Sequence, residues 1–392
     1  MNVLWLSVLL FQIPFVLILL RRLSTAPSRI PALVAIDQID QKVNDSATNE
    51  SKVTIVIPTL NERLRLPNCL EGLRSQQGVK EIIVVDSRSQ DGTPEYVQEL
   101  QKDYPINLRL VTDDPLPTGW VGRPWALHTG FLNADPSSEW ILGIDADTQP
   151  QPGLVTSFVE KAIAENYDMV SLSPKFILKT IGEQWLQPAL LVTLIFRFGA
   201  TGDPQQFSQD RVMANGQCFL SRRSMLAKIQ GYEGAKSSFC DDVTLVRSAA
   251  QQGAKVGFLD GANLIQVRMY SSMAETWKEW GRSLDLKDAA TPIQTLGDCV
   301  LLLAVQGLPL PLFLALLFLP IETNMFTQLL LGLNGFLVLI RFLLVFGIRS
   351  SYTEVGFMFW LSPLADSVAV LRIWLSALTK PKQWRGRIYG KT

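Results

Sequence analysis

The sequence between positions 140 and 147 reads Trp140-Ile141-Leu142-Gly143-Ile144-Asp145-Ala146-Asp147. A run without polar side chains predicts a buried strand, and the two carboxylates stand where that strand ends. Alternation along an extended chain points Asp145 and Asp147 to the same side. Neighbouring carboxylates repel each other unless a positive charge lies between them, and a divalent cation bound to a phosphate is one such charge. A turn, where Asp is common, is the alternative.

The composition predicts one large globular domain and excludes several function classes. The chain has 392 residues, of which 47% are apolar, and residues 53–295 are the more polar part. Its 36 basic and 36 acidic side chains balance, and no basic patch indicates nucleic-acid binding. The four cysteines lack C-x-x-C or zinc spacing, which predicts free thiols in a reducing compartment. His128 is the single histidine, which disfavours a histidine metal site or a Ser-His-Asp triad.

Residues 1–22 are expected to form an uncleaved membrane anchor. Arg21 and Arg22 follow the apolar run, whereas a signal peptide has its positive charge in front. These arginines predict that the following domain lies in the cytoplasm. The protein is expected to be an integral membrane protein of an inner (plasma) or thylakoid-type membrane. Residues 23–52 are polar and are interpreted as a linker.

The C-terminal region, residues 296–380, is predicted to contain two membrane spans and a third apolar segment at 355–378. The tail at 381–392 is basic, so it is expected in the cytoplasm. Three full spans would leave that tail outside, and segment 355–378 is therefore predicted to be re-entrant or interfacial. The apolar stretch 185–198 is short for a span and is interpreted as either an interfacial helix or a buried core helix.

The domain alternates strands and helices, which predicts an α/β fold with a parallel sheet. The predicted strands are 53–57, 81–86, 108–111, 140–144 and 169–172, and the predicted helices are 64–73, 93–102, 125–131 and 152–165. Ligands collect at the carboxyl ends of parallel strands, and polar groups stand there at Pro58–Glu62, Asp86–Thr93 and Asp145–Asp147. The sequence has no G-x-G-x-x-G after the first strand and no Walker lysine loop, which disfavours ordinary dinucleotide and P-loop sites.

Taken together and in order, these motifs resemble the family 2 glycosyltransferases, which have the GT-A fold. The resemblance covers about residues 52–290 and rests on Ile57–Glu62, Val84–Ser87, Ser89–Thr93, Gly122–Gly130, Asp145–Asp147 and Cys240–Asp242. Within the family, the apolar C-terminal region is similar to the membrane-bound branch that glycosylates ceramide, hopanoid and carotenoid acceptors.

The resemblance implies a role for each matching residue. Asp86 would hydrogen-bond the base of the nucleotide sugar, and Pro58, Glu62 and Asp91 would shape the nucleotide pocket. Asp147, helped by Asp145, would hold Mg²⁺ or Mn²⁺ on the diphosphate, and Asp145 would also serve the donor. Asp242 would be the general base, next to Asp241. The family's Gln/Arg-x-x-Arg-Trp motif is not cleanly present, and Arg268 and Arg282 are the candidates for its diphosphate contact.

The function expected from the resemblance is an inverting transfer of sugar from a UDP- or GDP-linked donor to a hydroxyl of a membrane lipid. A carotenoid is the preferred acceptor, and a hopanoid, a ceramide-like lipid or a polyprenyl phosphate is the alternative. A transporter or scaffold is disfavoured because we find no paired charges within the apolar segments and no repeat. A two-carboxylate glycosidase would act without a metal. No oligomeric state is predicted.

Overall fold

The computed structural model describes residues 2–25, 28–36, 52–202, 209–281, 284–379, 383–384 and 387–388. The chain divides into two compact units. We call Ile30–Phe176 with Gln206–Arg268 and Lys382–Thr392 the sheet unit, and Met1–Arg29 with Ile177–Gln205 and Met269–Pro381 the helical unit.

The strands of the described residues are β1 (Val53–Thr59), β2 (Val79–Asp86), β3 (Asn107–Thr112), β4 (Trp140–Ile144), β5 (Thr148–Pro150), β6 (Met169–Ser173), β7 (Lys175–Phe176), β8 (Cys218–Arg222), β9 (Val256–Asp260), β10 (Ile265–Val267), β11 (Gln383–Trp384) and β12 (Arg387–Ile388). The α-helices are α1 (Asn2–Leu23), α2 (Leu66–Leu73), α3 (Thr93–Leu100), α4 (Gly122–Asn133), α5 (Leu154–Ala164), α6 (Ile181–Phe198), α7 (Arg223–Lys228), α8 (Asp241–Gln251), α9 (Met273–Glu275), α10 (Pro292–Leu302), α11 (Pro309–Phe318), α12 (Met325–Ile348), α13 (Phe357–Trp360) and α14 (Asp366–Leu378).

The main sheet has the strand order β3-β2-β1-β4-β8-β6-β9. Its strands are parallel except β8, which runs antiparallel to both neighbours. The prediction of a mostly parallel α/β sheet is therefore confirmed, and the five predicted strands are found with ends shifted by at most two residues. The sequence analysis missed β8 and β9 and the small sheet β5-β10-β7, because such short strands carry little periodic signal.

The core of the sheet unit lies on both faces of β1. Ile55 and Ile57 pack with one apolar cluster, and Val56 points into the other, as strand alternation requires. On the Val56 side α4 approaches the sheet closely. A Cβ added at Gly130 would lie 2.2 Å from Val56 Cγ1, so this helix can sit at its depth only with glycine there. The close approach of α4 to the sheet determines where the first turn of this helix lies relative to the ends of the strands.

Part of the predicted linker contacts the sheet unit. The backbone N–H of Leu33 donates to the carbonyl of Asp260 at 2.9 Å, and the N–H of Ile36 donates to Ser157 Oγ at 3.0 Å. The side chain of Leu33 also packs against the core of that unit. Residues 30–36 therefore run along the domain, and residues 37–51 lie outside the described residues.

Among the described residues, three helices of the helical unit are long and apolar enough to cross a membrane: Val3–Leu23, Pro292–Phe318 and Met325–Ser351. The segment 355–378 is broken into α13, a short 3-10 turn and α14, and its re-entrant or interfacial placement stays a prediction. Helix α6 is largely buried and packs against α13 and α14, as the core-helix interpretation of 185–198 required. The predicted cytoplasmic tail at 381–392 falls mostly outside the described residues.

The expectation that the apolar segments carry no paired charges is wrong. Arg341 on α12 donates from Nε to both carboxylate oxygens of Asp366 on α14, at 3.0 and 2.8 Å, and both side chains are buried. An amide pair joins α1 to α12, where Gln12 and Asn334 exchange hydrogen bonds of 3.0 Å. The partners lie far apart in sequence, so helical periodicity gave no sign of either contact.

Candidate active site

Arg123, in the first turn of α4, connects the carboxyl end of β4 to the start of α8. Its Nε and Nη2 donate to Asp145 Oδ1 at 3.0 and 2.9 Å, and Nη1 donates to Asp241 Oδ2. Nη2 also donates to the carbonyl of Gly216 at 2.8 Å. One guanidinium fork thus binds two carboxylates almost a hundred positions apart, the planar geometry for which arginine is suited.

The local charge around Arg123 is strongly negative. Burial by itself would lower the pKa of the guanidinium, but the charges of Asp145, Asp241 and Asp242 raise it above its ordinary value. Arg123 therefore stays charged, and it interacts with Asp145, Asp241 and Asp242. Carboxyl groups gathered in this way favour binding of a cation.

Asp241 and Asp242 are the first two residues of α8, where the helix dipole favours negative charge. Asp242 Oδ2 accepts from the backbone N–H of Gly216 at 2.7 Å, and Oδ1 accepts from that of Val243 at 2.9 Å. Burial raises the pKa of both carboxyl groups above the usual range, and Arg123 opposes that shift. A raised pKa suits a group that must accept a proton near neutral pH.

Asp86 ends β2 and is buried beside the end of β1. Its Oδ1 accepts from Thr59 Oγ1 at 3.1 Å, and its Oδ2 accepts from the backbone N–H of Ser89 at 2.9 Å. The next residue, Ser87, donates to Asp113 Oδ2 at 2.7 Å. These contacts fix the orientation of the Asp86 carboxylate at the edge of the sheet, where the sequence analysis expected the nucleotide base.

Asp91 connects two loops by hydrogen bonds. Its Oδ1 accepts from Thr93 Oγ1 at 2.6 Å, and its Oδ2 accepts from the backbone N–H of Arg63 at 2.9 Å. Burial would raise its pKa, yet these hydrogen bonds hold the pKa below the ordinary carboxyl value. Glu62 lies in the same loop, and its backbone N–H donates to Thr93 Oγ1 at 3.1 Å. The structure thus places Asp91 in a loop-closing role, and its predicted contact with the donor stays a prediction.

Asp147 follows β4 by three residues. Cys69 lies close to this turn, because its thiol approaches the carbonyl oxygen of Asp145 at 3.8 Å. Burial raises the pKa of Cys69, and the charges of Asp147 and Asp145 raise it further. Strand β10 pairs Val267 with Thr148. Arg268 directly follows Val267, and Asp147 directly precedes Thr148, so the two residues flank this pair of strand residues. The predicted alternative Arg282 lies outside the described residues.

The residue that sequence analysis missed is Arg123. It was quoted within the Gly122–Gly130 motif, but no role was assigned to it. His128 of the same motif stacks on Trp125 with ring centroids 5.7 Å apart, and its Nδ1 accepts from the backbone N–H of Tyr232 at 3.2 Å. Burial lowers its pKa, so His128 is a neutral packing residue. Pro58, which was predicted to shape the nucleotide pocket, is buried in β1 and pairs with Val85 of β2.

We expect replacement of Arg123 to change how stability depends on pH. Carboxyl groups with a raised pKa bind more protons in the folded than in the unfolded protein, so the free energy of unfolding falls as pH rises above about 4. Arg123→Gln removes the charge that opposes this shift, so the pKa of these groups in the folded protein rises further and the fall continues to higher pH. Arg123→Lys keeps the charge and gives a slope closer to that of the unmodified chain. Denaturant unfolding of the unmodified chain, Arg123→Gln and Arg123→Lys, between mildly acidic and mildly alkaline pH, measures how the free energy of unfolding of each depends on pH. The same dependence in all three would contradict the expectation.

The family model described as "Glycosyl transferase family 2" matches residues 54–230. A 4,4'-diaponeurosporenoate glycosyltransferase of Staphylococcus haemolyticus is 24% identical over 259 residues, which are 64% of this chain and 65% of the relative. A dolichol-phosphate mannosyltransferase of Pyrococcus furiosus is 32% identical over 141 residues, which are 34% of this chain and 36% of the relative. The chain therefore matches less than two thirds of the length of either relative.

Among solved structures, the fold is similar to that of a mannosyltransferase from Pyrobaculum calidifontis in complex with GDP-Man and Mn²⁺. The TM-score is 0.52 at 17% identity, over 85% of this chain and 90% of that one. This likeness shows a GT-A fold, in agreement with the strand order and with the helices that are apolar enough to cross a membrane. Residues 54–230 of the chain therefore match the model of glycosyltransferase family 2, and this part of the protein is similar to that family.

Proposed function

We propose that this protein is a membrane-bound inverting glycosyltransferase that moves a sugar from a nucleotide-sugar donor to a hydroxyl of a lipid acceptor. The observation that carries the proposal is the convergence of Asp145 and Asp241 on Arg123, at the strand ends where α/β domains bind ligands. The three apolar helices support an acceptor that is dissolved in the bilayer.

We assign binding of the nucleoside part of the donor to Asp86 with Pro58 and Glu62. Binding of its diphosphate is assigned to Arg268. Asp86 is preoriented by two hydrogen bonds, which lowers the entropy lost when a base binds. Arg268 directly follows β10, the strand that pairs with β5 behind the Asp145–Asp147 turn. Donors linked to UDP or GDP both present the diphosphate that these groups would hold.

Asp147 and Asp145 fit a hard divalent cation such as Mg²⁺ or Mn²⁺. Among the described residues no three His, Cys, Asp or Glu side chains are grouped to hold a metal, but Mg²⁺ is commonly bound by one or two carboxylates together with substrate phosphates. Both hydrogen bonds from Arg123 go to Oδ1 of Asp145. When bound, the ion would neutralise charge that develops on the leaving diphosphate. Arg123 would keep Asp145 oriented for this task.

Asp242 is assigned as the general base. As the acceptor oxygen bonds to the anomeric carbon, the bond from that carbon to the diphosphate oxygen breaks, and the hydroxyl proton passes to Asp242. The products are the glycosylated lipid and a nucleoside diphosphate, with inversion at the anomeric carbon. The two backbone N–H groups that bind Asp242 hold the carboxylate in place. Asp241 supports Asp242 in two ways. The two carboxyl groups interact electrostatically, and Asp241 accepts a hydrogen bond from Arg123.

The preferred acceptor is a carotenoid, and one relative carries the name of a diaponeurosporenoate glycosyltransferase. A hopanoid or a ceramide-like lipid presents the same hydroxyl chemistry. A polyprenyl phosphate is the second candidate, favoured by the relative named a dolichol-phosphate mannosyltransferase. Its phosphate oxygen carries no proton at neutral pH, so that reaction needs no strong base.

Replacing the base separates these two candidates. We expect Asp242→Asn to lower the turnover number by roughly 10²- to 10⁴-fold, because the acceptor proton then has no recipient. The Michaelis constant for the donor should change little. Transfer of labelled sugar from the nucleotide donor into a lipid extract measures both quantities. Asp103→Asn, at an exposed position, is the matched control. Near-normal turnover in Asp242→Asn would favour the phosphate acceptor.

Removal of divalent metal should abolish the transfer. We expect activity to be lost in a chelator and restored by Mg²⁺ or Mn²⁺, since the diphosphate cannot leave easily with its charge exposed. Asp147→Asn should raise the metal concentration needed for half-maximal rate. Activity that persists in the chelator would contradict the assignment and would revive the two-carboxylate glycosidase.

Deletion of the gene in the source organism, followed by lipid and pigment profiling, identifies the acceptor. We expect one pigment or lipid to lack a single sugar and its unglycosylated precursor to accumulate. The full-length gene restored on a plasmid is the positive control, and the Asp242→Asn gene is the negative one. An unchanged profile would contradict the carotenoid and hopanoid acceptors together.

A further inference from the structure

The helical unit contains a cleft whose walls are apolar except at one end. The apolar lining comes from Val305, Pro309, Leu310, Leu337, Val338 and Phe342. The polar lining comes from Gln306, Arg341 and Asp366, each of which is at most 4% exposed. The cleft encloses about 10 Å³, room for one water-sized group, within about 260 Å³ of empty space that includes its open part.

The three polar side chains meet at one carboxylate oxygen. Asp366 Oδ1 accepts from Arg341 Nε at 3.0 Å and from Gln306 Nε2 at 3.1 Å. Gln306 Nε2 also donates to the carbonyl of Ala189 at 2.9 Å, and Arg341 Nε donates to Asp366 Oδ2 at 2.8 Å. Gln306 and Arg341 therefore share a partner atom, and both residues line the same cleft.

Two other polar atoms of these residues are buried and have no hydrogen-bond partner among the described residues: Arg341 Nη1, a donor, and Gln306 Oε1, an acceptor. Leaving buried polar atoms unpaired is unfavourable, so an external group that pairs with both atoms would be stabilised here. That partner must offer a lone pair to the guanidinium and a proton to the amide oxygen.

The charge of the site restricts the partner further. The positive charge of Arg341 is already balanced by Asp366, and burial makes any added net charge costly. An anionic headgroup would approach the Asp366 carboxylate at close range and be repelled. A neutral hydroxyl both accepts and donates, and the rest of an apolar alcohol would contact the apolar walls.

We propose that this cleft is a binding site for the hydroxyl group of a membrane-dissolved alcohol, which accepts a hydrogen bond from Arg341 and donates one to Gln306. The site belongs to the helical unit alone and involves none of the carboxylates assigned to catalysis. The proposal does not depend on glycosyl transfer, since binding needs no donor. An alcohol of this class is also the kind of acceptor proposed above.

Photolabelling of the full-length chain in nanodiscs tests the site. The probes are a long-chain alkanol with a diazirine near its hydroxyl end, the methyl ether of that alkanol and the matching fatty acid. We expect the alkanol to label peptides from residues 303–312 and 337–342 roughly two- to ten-fold more than the ether, which lacks the donated proton. The ionised fatty acid should label them less than the alkanol.

Two variants complete the experiment. Gln306→Met keeps the side-chain volume but removes the acceptor, so labelling by the alkanol should fall to the level of the ether. Gln328→Met, an exposed glutamine on α12, should leave labelling unchanged. Gel filtration and thermal unfolding show whether each variant is folded. Equal labelling by alkanol and ether in the unmodified chain would overturn the proposal even if Gln306→Met failed to fold, and stronger labelling by the fatty acid would overturn it as well.

Discussion

The contact of Arg123 with Asp145 and Asp241 is the interaction on which the catalytic end of the sheet unit depends. It joins the turn after β4, the first turn of α4 and the start of α8. Without a buried positive charge at this point, the carboxylates of Asp145, Asp241 and Asp242 would repel one another. Burial raises the pKa of Asp241 and Asp242, and the charge of Arg123 opposes that shift while its hydrogen bonds orient Asp145 and Asp241. The same group of residues holds the strand ends together and includes the side chains proposed above to act on a metal and a hydroxyl proton.

The depth of α4 makes that contact possible. Gly130 lets the helix lie directly on Val56, and this brings Arg123 level with the end of β4. Gly216 has a similar role on the other side, because a Cβ there would lie 2.4 Å from Arg123 Nη2. Its carbonyl accepts from Arg123 and its N–H donates to Asp242. One residue in the connection before β8 thus positions both the arginine and the proposed base, through backbone atoms that no side-chain motif reveals.

In the helical unit, as around Arg123, polar contacts join residues that lie far apart in the sequence. Its long apolar helices could be recognised from composition, but the contacts that fix their pairing are polar: Gln12 with Asn334, and Arg341 with Asp366. The residues of each contact are separated in the sequence by a distance that is unrelated to the repeat of a helix. The sequence of any single apolar segment therefore gave no sign of a charged pair. The structure also shows that Gln306 binds the same carboxylate, which gives the cleft beside α11 and α12 its polar end.

The sequence by itself determined the alternation of strands and helices, the places of the five predicted strands, the acidic residues at strand ends and the apolar helices. These features follow from local patterns of burial, which a strand or helix imposes on its own residues. Only the tertiary structure decided that Arg123 lies between Asp145 and Asp241, that Asp91 closes two loops, and that Arg341 is paired. Each of these depends on side chains brought together from distant positions. Short-range periodicity carries no information about such contacts, because their energy comes from burial and charge pairing that exist only once the chain has folded.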